Sequence, residues 1–190
     1  MKLMRFIDAP AQRWRNGGGV TRELLAWPSA SEWQVRISVA DIEVDGPFSP
    51  YPGVERWFTV LQGAGVELTI DGTATQLARG DQAVRFDGAA AAHARLLDGP
   101  TRDLNLMLRD ASGSMHCAAD GLAWSPASTQ CGLFSAVSGR CDAAGHAGVE
   151  VPPYALLWFD AAPPALSFTA AQRPAEIGRA SCRERVYSSV

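Results

Sequence analysis

Along most of the chain apolar residues recur with a period of two, in short runs bounded by Gly, Pro and Asp. That alternation is the signature of half-buried β-strands. It predicts strands at 20–27, 33–42, 56–62, 65–71, 73–77, 82–86, 94–97 and 101–109, and it predicts no helix. Asp71-Gly72 and Arg79-Gly80-Asp81 fall between such runs as hairpin punctuation. Eight short strands in close succession suit an all-β jelly roll. The second half repeats the theme less regularly, at 133–138, 149–151, 154–160 and 166–170, between loops rich in Ala, Gly and Pro. The stretch 110–128 has turn composition and reads as a connection between the halves.

Successive side chains on a strand point to opposite faces, so the same alternation sorts residues by side. Within 33–42 one face carries Trp33, Val35, Ile37 and Val39, and the other carries Gln34, Arg36, Ser38 and Ala40. Thr21 shares a face with Glu23, and Asp103 shares one with Asn105, opposite Leu104, Leu106 and Leu108. An arginine beside a small hydroxyl is ordinary on a wetted face and unusual inside a barrel; the alternation leaves both open.

Composition narrows the functional classes. A chain of 190 residues, 47% apolar, has enough material for a real core. The formal charge is −3, and residues 1–176 alone carry 14 basic and 19 acidic side chains. No basic stripe interrupts that acidity, which argues against nucleic acid as a partner. No run approaches the ~18 apolar residues of a membrane span. The start, Met1-Lys2-Leu3-Met4-Arg5, lacks the apolar stretch of a signal peptide, so the cytoplasm is the expected location. Cys117, Cys131, Cys141 and Cys182 show neither a CxxC pair nor the density of a disulfide scaffold, and read as free thiols. Residues 177–190 lack periodicity and reverse the charge balance, with Arg179, Arg183 and Arg185 against Glu184. They read as a vector- or assembly-derived tail outside the fold.

Several blocks carry a resemblance. Trp14-Arg15-Asn16-Gly17-Gly18-Gly19-Val20-Thr21-Arg22-Glu23 is followed by residues 33–40, by Asp45-Gly46-Pro47-Phe48-Ser49, by Tyr51-Pro52-Gly53-Val54-Glu55-Arg56 and by Arg102-Asp103-Leu104-Asn105-Leu106-Met107. In this order they resemble the HutD/Ves family of bacterial cupin-like proteins, strongly over residues 4–110 and weakly beyond. The resemblance implies a cupin-type double-stranded β-helix duplicated in bicupin fashion, with a fuller first half (1–110) and a reduced second half (111–176). It also implies where a metal cupin would keep its ligands. The carboxylate position falls on Arg56, the histidine pair falls near Ser49 and Tyr51, and the remaining histidine position falls on Ala91. An arginine puts a fixed positive charge where a divalent cation would sit. His93, His116 and His146 have no i,i+2 or i,i+4 partners. No metal and no other cofactor is expected.

The same resemblance places the polar face in a barrel lumen. Arg36 and Arg56 would then hold carboxylates by charge-assisted bonds, with Ser38, Ser49, Thr21, Glu23, Tyr51, Asp103 and Asn105 orienting the ligand. The competing expectation is a closed network, Arg36 with Glu23 or Arg56 with Asp103. Asn16-Gly17-Gly18-Gly19 lacks the Lys-Ser/Thr of a phosphate loop and reads as a tight turn into the first strand, with Asn16 capping it. The proline-fixed loop 45–53 would shape the pocket mouth, with Phe48 or Tyr51 closing it. The family's association with histidine utilisation implies N-formylglutamate, formiminoglutamate or urocanate as ligand and a modulating role. The leading expectation is therefore a metal-independent binding protein for a small anionic metabolite. One alternative is a metal-independent isomerase or hydrolase, with Glu23 or Asp103 as base and Tyr51 or His93 as acid. The other is a protein–protein module using Trp124, Phe134, Tyr154, Trp158 and Phe159. A homodimer is compatible with all three.

Overall fold

A computed structural model describes residues 1–171 and the backbone of 185–189. In chain order the strands are β1 (Lys2–Arg5), β2 (Ala11–Arg13), β3 (Gly19–Trp27), β4 (Val35–Ile42), β5 (Gly46–Pro47), β6 (Val54–Gln62), β7 (Val66–Ile70), β8 (Thr73–Leu77), β9 (Val84–Asp87), β10 (Ala92–Leu96) and β11 (Thr101–Arg109). They continue as β12 (Ser114–Cys117), β13 (Ala123–Trp124), β14 (Cys131–Ser135), β15 (Gly139–Ala143), β16 (Val149–Val151), β17 (Ala155–Phe159), β18 (Leu166–Ala170) and β19 (Arg185–Ser189). A single 3-10 turn, Phe6–Asp8, is the only helical element among the described residues. The chain forms two compact units, Ala9–Ser112 and Met1–Asp8 with Gly113–Val190.

The unit Ala9–Ser112 is a jelly roll of two antiparallel sheets, ordered β2-β3-β4-β11-β6-β9 and β5-β10-β7-β8. Period-two alternation gives each sheet an inward face. Ile42, Phe58, Val60 and Phe86 from the first sheet pack with Val66, Leu68, Leu77, Ala92 and Ala94 in one core. The opposite face of the first sheet is also buried, with Val35, Val39, Leu104, Leu106 and Leu108 at 0–2% exposure. Asp71 and Gly72 both take positive φ, 46° and 83°, between the paired strands β7 and β8. That is the conformation of a tight two-residue hairpin, which Asp-Gly favours.

The other unit has sheets ordered β1-β17-β14-β19-β12 and β13-β18-β15-β16, with no strand longer than five residues among the described residues. Its apolar core is built around Leu133, Leu157, Phe159, Leu166 and Phe168 with the free thiols of Cys131 and Cys141, and Ser135 on β14 is also fully buried. Burial pushes those thiols up, Cys131 to about 12 and Cys141 to about 11.

Several boundaries differ from the sequence reading. Residues 1–8 do not join the first half: β1 pairs along β17, Lys2 opposite Trp158. The stretch 110–128 contains β12 and β13 rather than turns alone. β15 occupies Gly139–Ala143, a strand that the alternation does not predict. Of the segment assigned to a tail, 177–184 and 190 lie outside the described residues, whereas the backbone of Arg185–Ser189 runs between β12 and β14. Strand pairing uses main-chain donors and acceptors that every non-proline residue carries, so a segment without side-chain periodicity can still fill a sheet. The aromatic residues Phe134, Trp158 and Phe159 are buried at 0–1% exposure, so they form core rather than surface.

Candidate functional site

The register of the six-stranded sheet brings the polar residues onto one face. On β4, Ser38 lies opposite Glu23 of β3 and Asn105 of β11. Arg36 lies opposite Met107, and Met107 opposite Arg56 of β6. Ala40 has Thr21 on one side and Asp103 on the other, and Asp103 lies opposite Val60. Arg56 in turn lies opposite Phe86 of β9. Because Ile42, Phe58, Val60 and Phe86 share this face and belong to the core between the sheets, it is the lumen side. Seven residues singled out from sequence, Thr21, Glu23, Arg36, Ser38, Arg56, Asp103 and Asn105, therefore project to the inside of one half-barrel. A register shift between Glu23 and Leu25 ends the alternation of β3, and both Leu24 and Leu25 become buried.

Arg56 is the centre of this array. It is 5% exposed. Its Nη1 donates to the Ser49 carbonyl oxygen at 3.3 Å and its Nη2 to Asn105 Oδ1 at 3.4 Å, while Nε has no hydrogen-bond partner among the described residues. Three rings surround the guanidinium, with centroids at 5.0 Å (Phe86), 5.1 Å (Phe48) and 5.7 Å (Tyr51). Phe48 also tilts against Phe58 at 5.6 Å and meets the edge of Trp14 at 6.4 Å. Burial lowers the Arg56 pKa to about 10, which Tyr51 partly opposes and Arg36 reinforces. The group still carries its charge at neutral pH, and both of its hydrogen bonds are long.

The loop 47–53 holds these rings in place through its backbone. Phe48 N donates to Ala92 O at 2.8 Å and Tyr51 N to Gly88 O at 2.6 Å, while Gly88 N donates to Val54 O at 2.7 Å. A Cβ at position 88 would stand 2.5 Å from Tyr51 O and 2.7 Å from Val54 O, so only glycine permits the approach. An open cleft of about 430 Å³ adjoins this corner, lined by Gly53, Val54, Glu55, Arg85, Phe86 and Asp87.

The other predicted residues differ in how far they are engaged. Arg36 Nε donates to Glu23 Oε2 at 2.6 Å, in a partly buried ion pair. The expected pairing of Arg36 with Glu23 thus forms, whereas Arg56 bonds to Asn105 and Ser49 rather than to Asp103. Thr21 Oγ1 accepts from Trp14 Nε1 at 2.7 Å. Ser49 contributes its carbonyl oxygen, not its hydroxyl, to Arg56. Asp103 is completely buried; its Oδ2 accepts from Thr101 Oγ1 at 2.8 Å and its Oδ1 has no partner among the described residues. Burial raises its pKa to about 8, with Asp41 adding to the rise and the Thr101 bond opposing it. His93 is exposed, and its neighbours Ala92 and Ala94 are the buried ones on β10. The alternation that turns those alanines inward turns His93 outward, which removes it as an acid for lumen chemistry.

Sequence reasoning missed Phe86, one of the three rings around Arg56, and Trp14, which packs against Phe48. Phe86 becomes visible only once β9 pairs with β6 in the register that sets it opposite Arg56. The Asn16-Gly17-Gly18-Gly19 turn closes the β2–β3 hairpin, with Asn16 Oδ1 accepting from Gly18 N at 3.0 Å.

A divalent metal, which cupin barrels commonly hold, does not fit this donor set. The buried lumen face carries the Arg56 cation, and no group of three or more His, Cys, Asp or Glu side chains is gathered for a metal among the described residues.

Two stacked antiparallel sheets define a cupin-type fold. The chain belongs to the HutD family, whose model matches residues 7–174. A conserved protein of unknown function from Pseudomonas aeruginosa PAO1 superposes with a TM-score of 0.83 at 26% identity, covering 98% of this chain and 96% of that one. HutD from Pseudomonas fluorescens SBW25 gives 0.78 at 26% identity, covering 99% and 96%. In sequence, an uncharacterized 21.2 kDa protein from the hutC 3′ region of Pseudomonas putida is 38% identical over 109 residues, 56% of this chain and 57% of that protein. The chain thus matches little more than half the length of such curated relatives. Among the described residues no helix is long and apolar enough to cross a membrane.

Proposed function

We propose that the protein binds a small carboxylate in the lumen of the Ala9–Ser112 barrel, without a metal, and modulates the pathway that makes or consumes it. The observation that carries this reading is Arg56. A buried cation whose Nε has no partner among the described residues, with two long hydrogen bonds and three rings around it, is left short of an anion. A carboxylate bound to Nε and a neighbouring Nη would complete the guanidinium fork. Asn105 and Ser38 sit in the next row of the sheet, placed to orient the rest of the ligand. The histidine-utilisation setting of the family favours N-formylglutamate, formiminoglutamate or urocanate. Arg36, already joined to Glu23, serves as a second-rank contact.

Calorimetric titration with these three acids, histidine and glutamate tests the proposal on native protein, Arg56→Ala and Arg36→Ala. Saturable binding of at least one acid, weakened on the order of a hundredfold or more by Arg56→Ala and less than about tenfold by Arg36→Ala, is the expected result. Silence for every acid, or equal loss in both variants, would remove Arg56 from its role.

Asp103 favours a second reading, a metal-independent enzyme, because a buried carboxyl held protonated near neutral pH is suited to general acid chemistry. Its one bonded side-chain neighbour is the Thr101 hydroxyl; His93, one of the two candidate acids, lies outside the lumen, which leaves Tyr51, beside Arg56, as the other. Product formation followed by NMR on the same acids separates the two readings; turnover abolished by Asp103→Asn would establish the second.

A further inference from the structure

We propose that the barrel selects a two-ended ligand, an acid whose far end carries a positively charged N–H group, with the carboxylate at Arg56 and the N–H at Asp103. This rests on the carboxylate reading of Arg56 and adds what the other end of the ligand must be. The lumen face holds two unfinished polar groups of opposite character. Among the described residues Arg56 Nε has no partner, and neither does Oδ1 of Asp103, a residue at 0% exposure. Leaving a buried polar atom unpartnered is costly, so each marks a place where a ligand group is missing: an anion at Arg56, and at Asp103 a cation that takes the place of the carboxyl proton.

The spacing is that of a small metabolite. Arg56 Nη2 already reaches Asn105 Oδ1. Asp103 lies two residues from Asn105 on the same face of β11, ~7 Å further along the strand by its rise per residue. A molecule of glutamate size bridges that interval, with Asn105 and Ser38 flanking its middle.

The surroundings of Asp103 leave the donor's role to the ligand. Its cross-strand neighbours are Ala40 on β4 and Val60 on β6, neither with a side-chain donor, and Thr21, beyond Ala40, is engaged with Trp14. The charged group that acts on it is Asp41, of like sign and held by Arg102 at 2.6 Å. Among the described residues no cation pairs with the carboxylate, and a cationic ligand end would. Held protonated in the free protein by burial, Asp103 would give up its proton to solvent as that end docks, so binding near pH 7 is accompanied by proton release.

N-formylglutamate and formiminoglutamate form the discriminating pair, because they differ mainly in whether the far end is a neutral carbonyl or a charged N–H group. Titrations run near neutral pH in buffers of different ionisation heats report both affinity and protons exchanged. The expected result is that formiminoglutamate binds at least about tenfold more tightly, with release of close to one proton. In Asp103→Asn that advantage and the release disappear, while a far-ultraviolet circular dichroism spectrum and a cooperative thermal transition like the native protein's show that the variant is folded. Equal affinity for the two acids, or a preference that survives Asp103→Asn, overturns the proposal and leaves Arg56-dependent carboxylate binding intact. Failure of both acids to bind the native protein overturns both.

Discussion

A buried arginine and a buried aspartate on one sheet face would ordinarily find each other, and here they do not. Arg56 and Asp103 stand on opposite sides of the Asn105 row, and each remains partly unsatisfied among the described residues. For Asp103 this has a consequence for stability. Its folded pKa, about 8, lies above the ordinary carboxylate value, so between roughly pH 4 and pH 8 the folded state keeps a proton that the unfolded chain has released. Stability from this group is therefore complete below about pH 4 and is lost progressively up to about pH 8. Asp103→Asn removes the ionisation. In urea unfolding the variant is expected to gain on the native protein by about 4 kcal/mol between pH 5 and pH 8, and to keep that gain at pH 9. A difference that does not grow with pH would contradict the buried, unpartnered state.

The elements decide how closely the aromatic loop approaches the sheet. Gly72 and Gly88 look alike in the sequence and act differently. Gly72 has φ +83° with open space around it, so Gly72→Ala meets only the left-handed backbone penalty, about 1 kcal/mol. At Gly88 a methyl would collide with the carbonyls of Tyr51 and Val54. Gly88→Ala is expected to cost about 1–3 kcal/mol, as overpacking does, and to weaken ligand binding by displacing Tyr51. Gly72→Ala should leave affinity unchanged. Thermal unfolding and titration of the two variants check this; equal effects on affinity would mean that the loop does not set the ring positions.

Across the whole molecule the chain crosses from one unit to the other and back. Met1–Asp8 belongs with Gly113–Val190, because β1 covers the edge of β17 along four residue pairs. Removing residues 1–8 uncovers the main-chain groups of Ala155–Trp158. Hydrogen exchange in that truncated protein is expected to accelerate throughout β17 and little in β4, β6 and β11, which lie in the other unit. Uniform protection would show that β1 contributes nothing.

By itself the sequence determined the strand class, most of the strands of the first half, the Asp71-Gly72 hairpin and the sorting of Arg36, Ser38, Asp103 and Asn105 away from Val35, Ile37, Leu104 and Leu106. These follow from a period of two and local turn chemistry, both written in neighbouring residues. Which face was the lumen, which of the two arginines remains available, and that Phe86 stands over Arg56 were decided by cross-strand register, which joins residues far apart in the chain through bonds common to every peptide unit. The same is true of β1 and β19, whose sequences carry no periodic signal and whose places come from the open edges of β17, β14 and β12. Arg56 and Asp103 were each legible as residues, but their isolation from one another exists only in three dimensions.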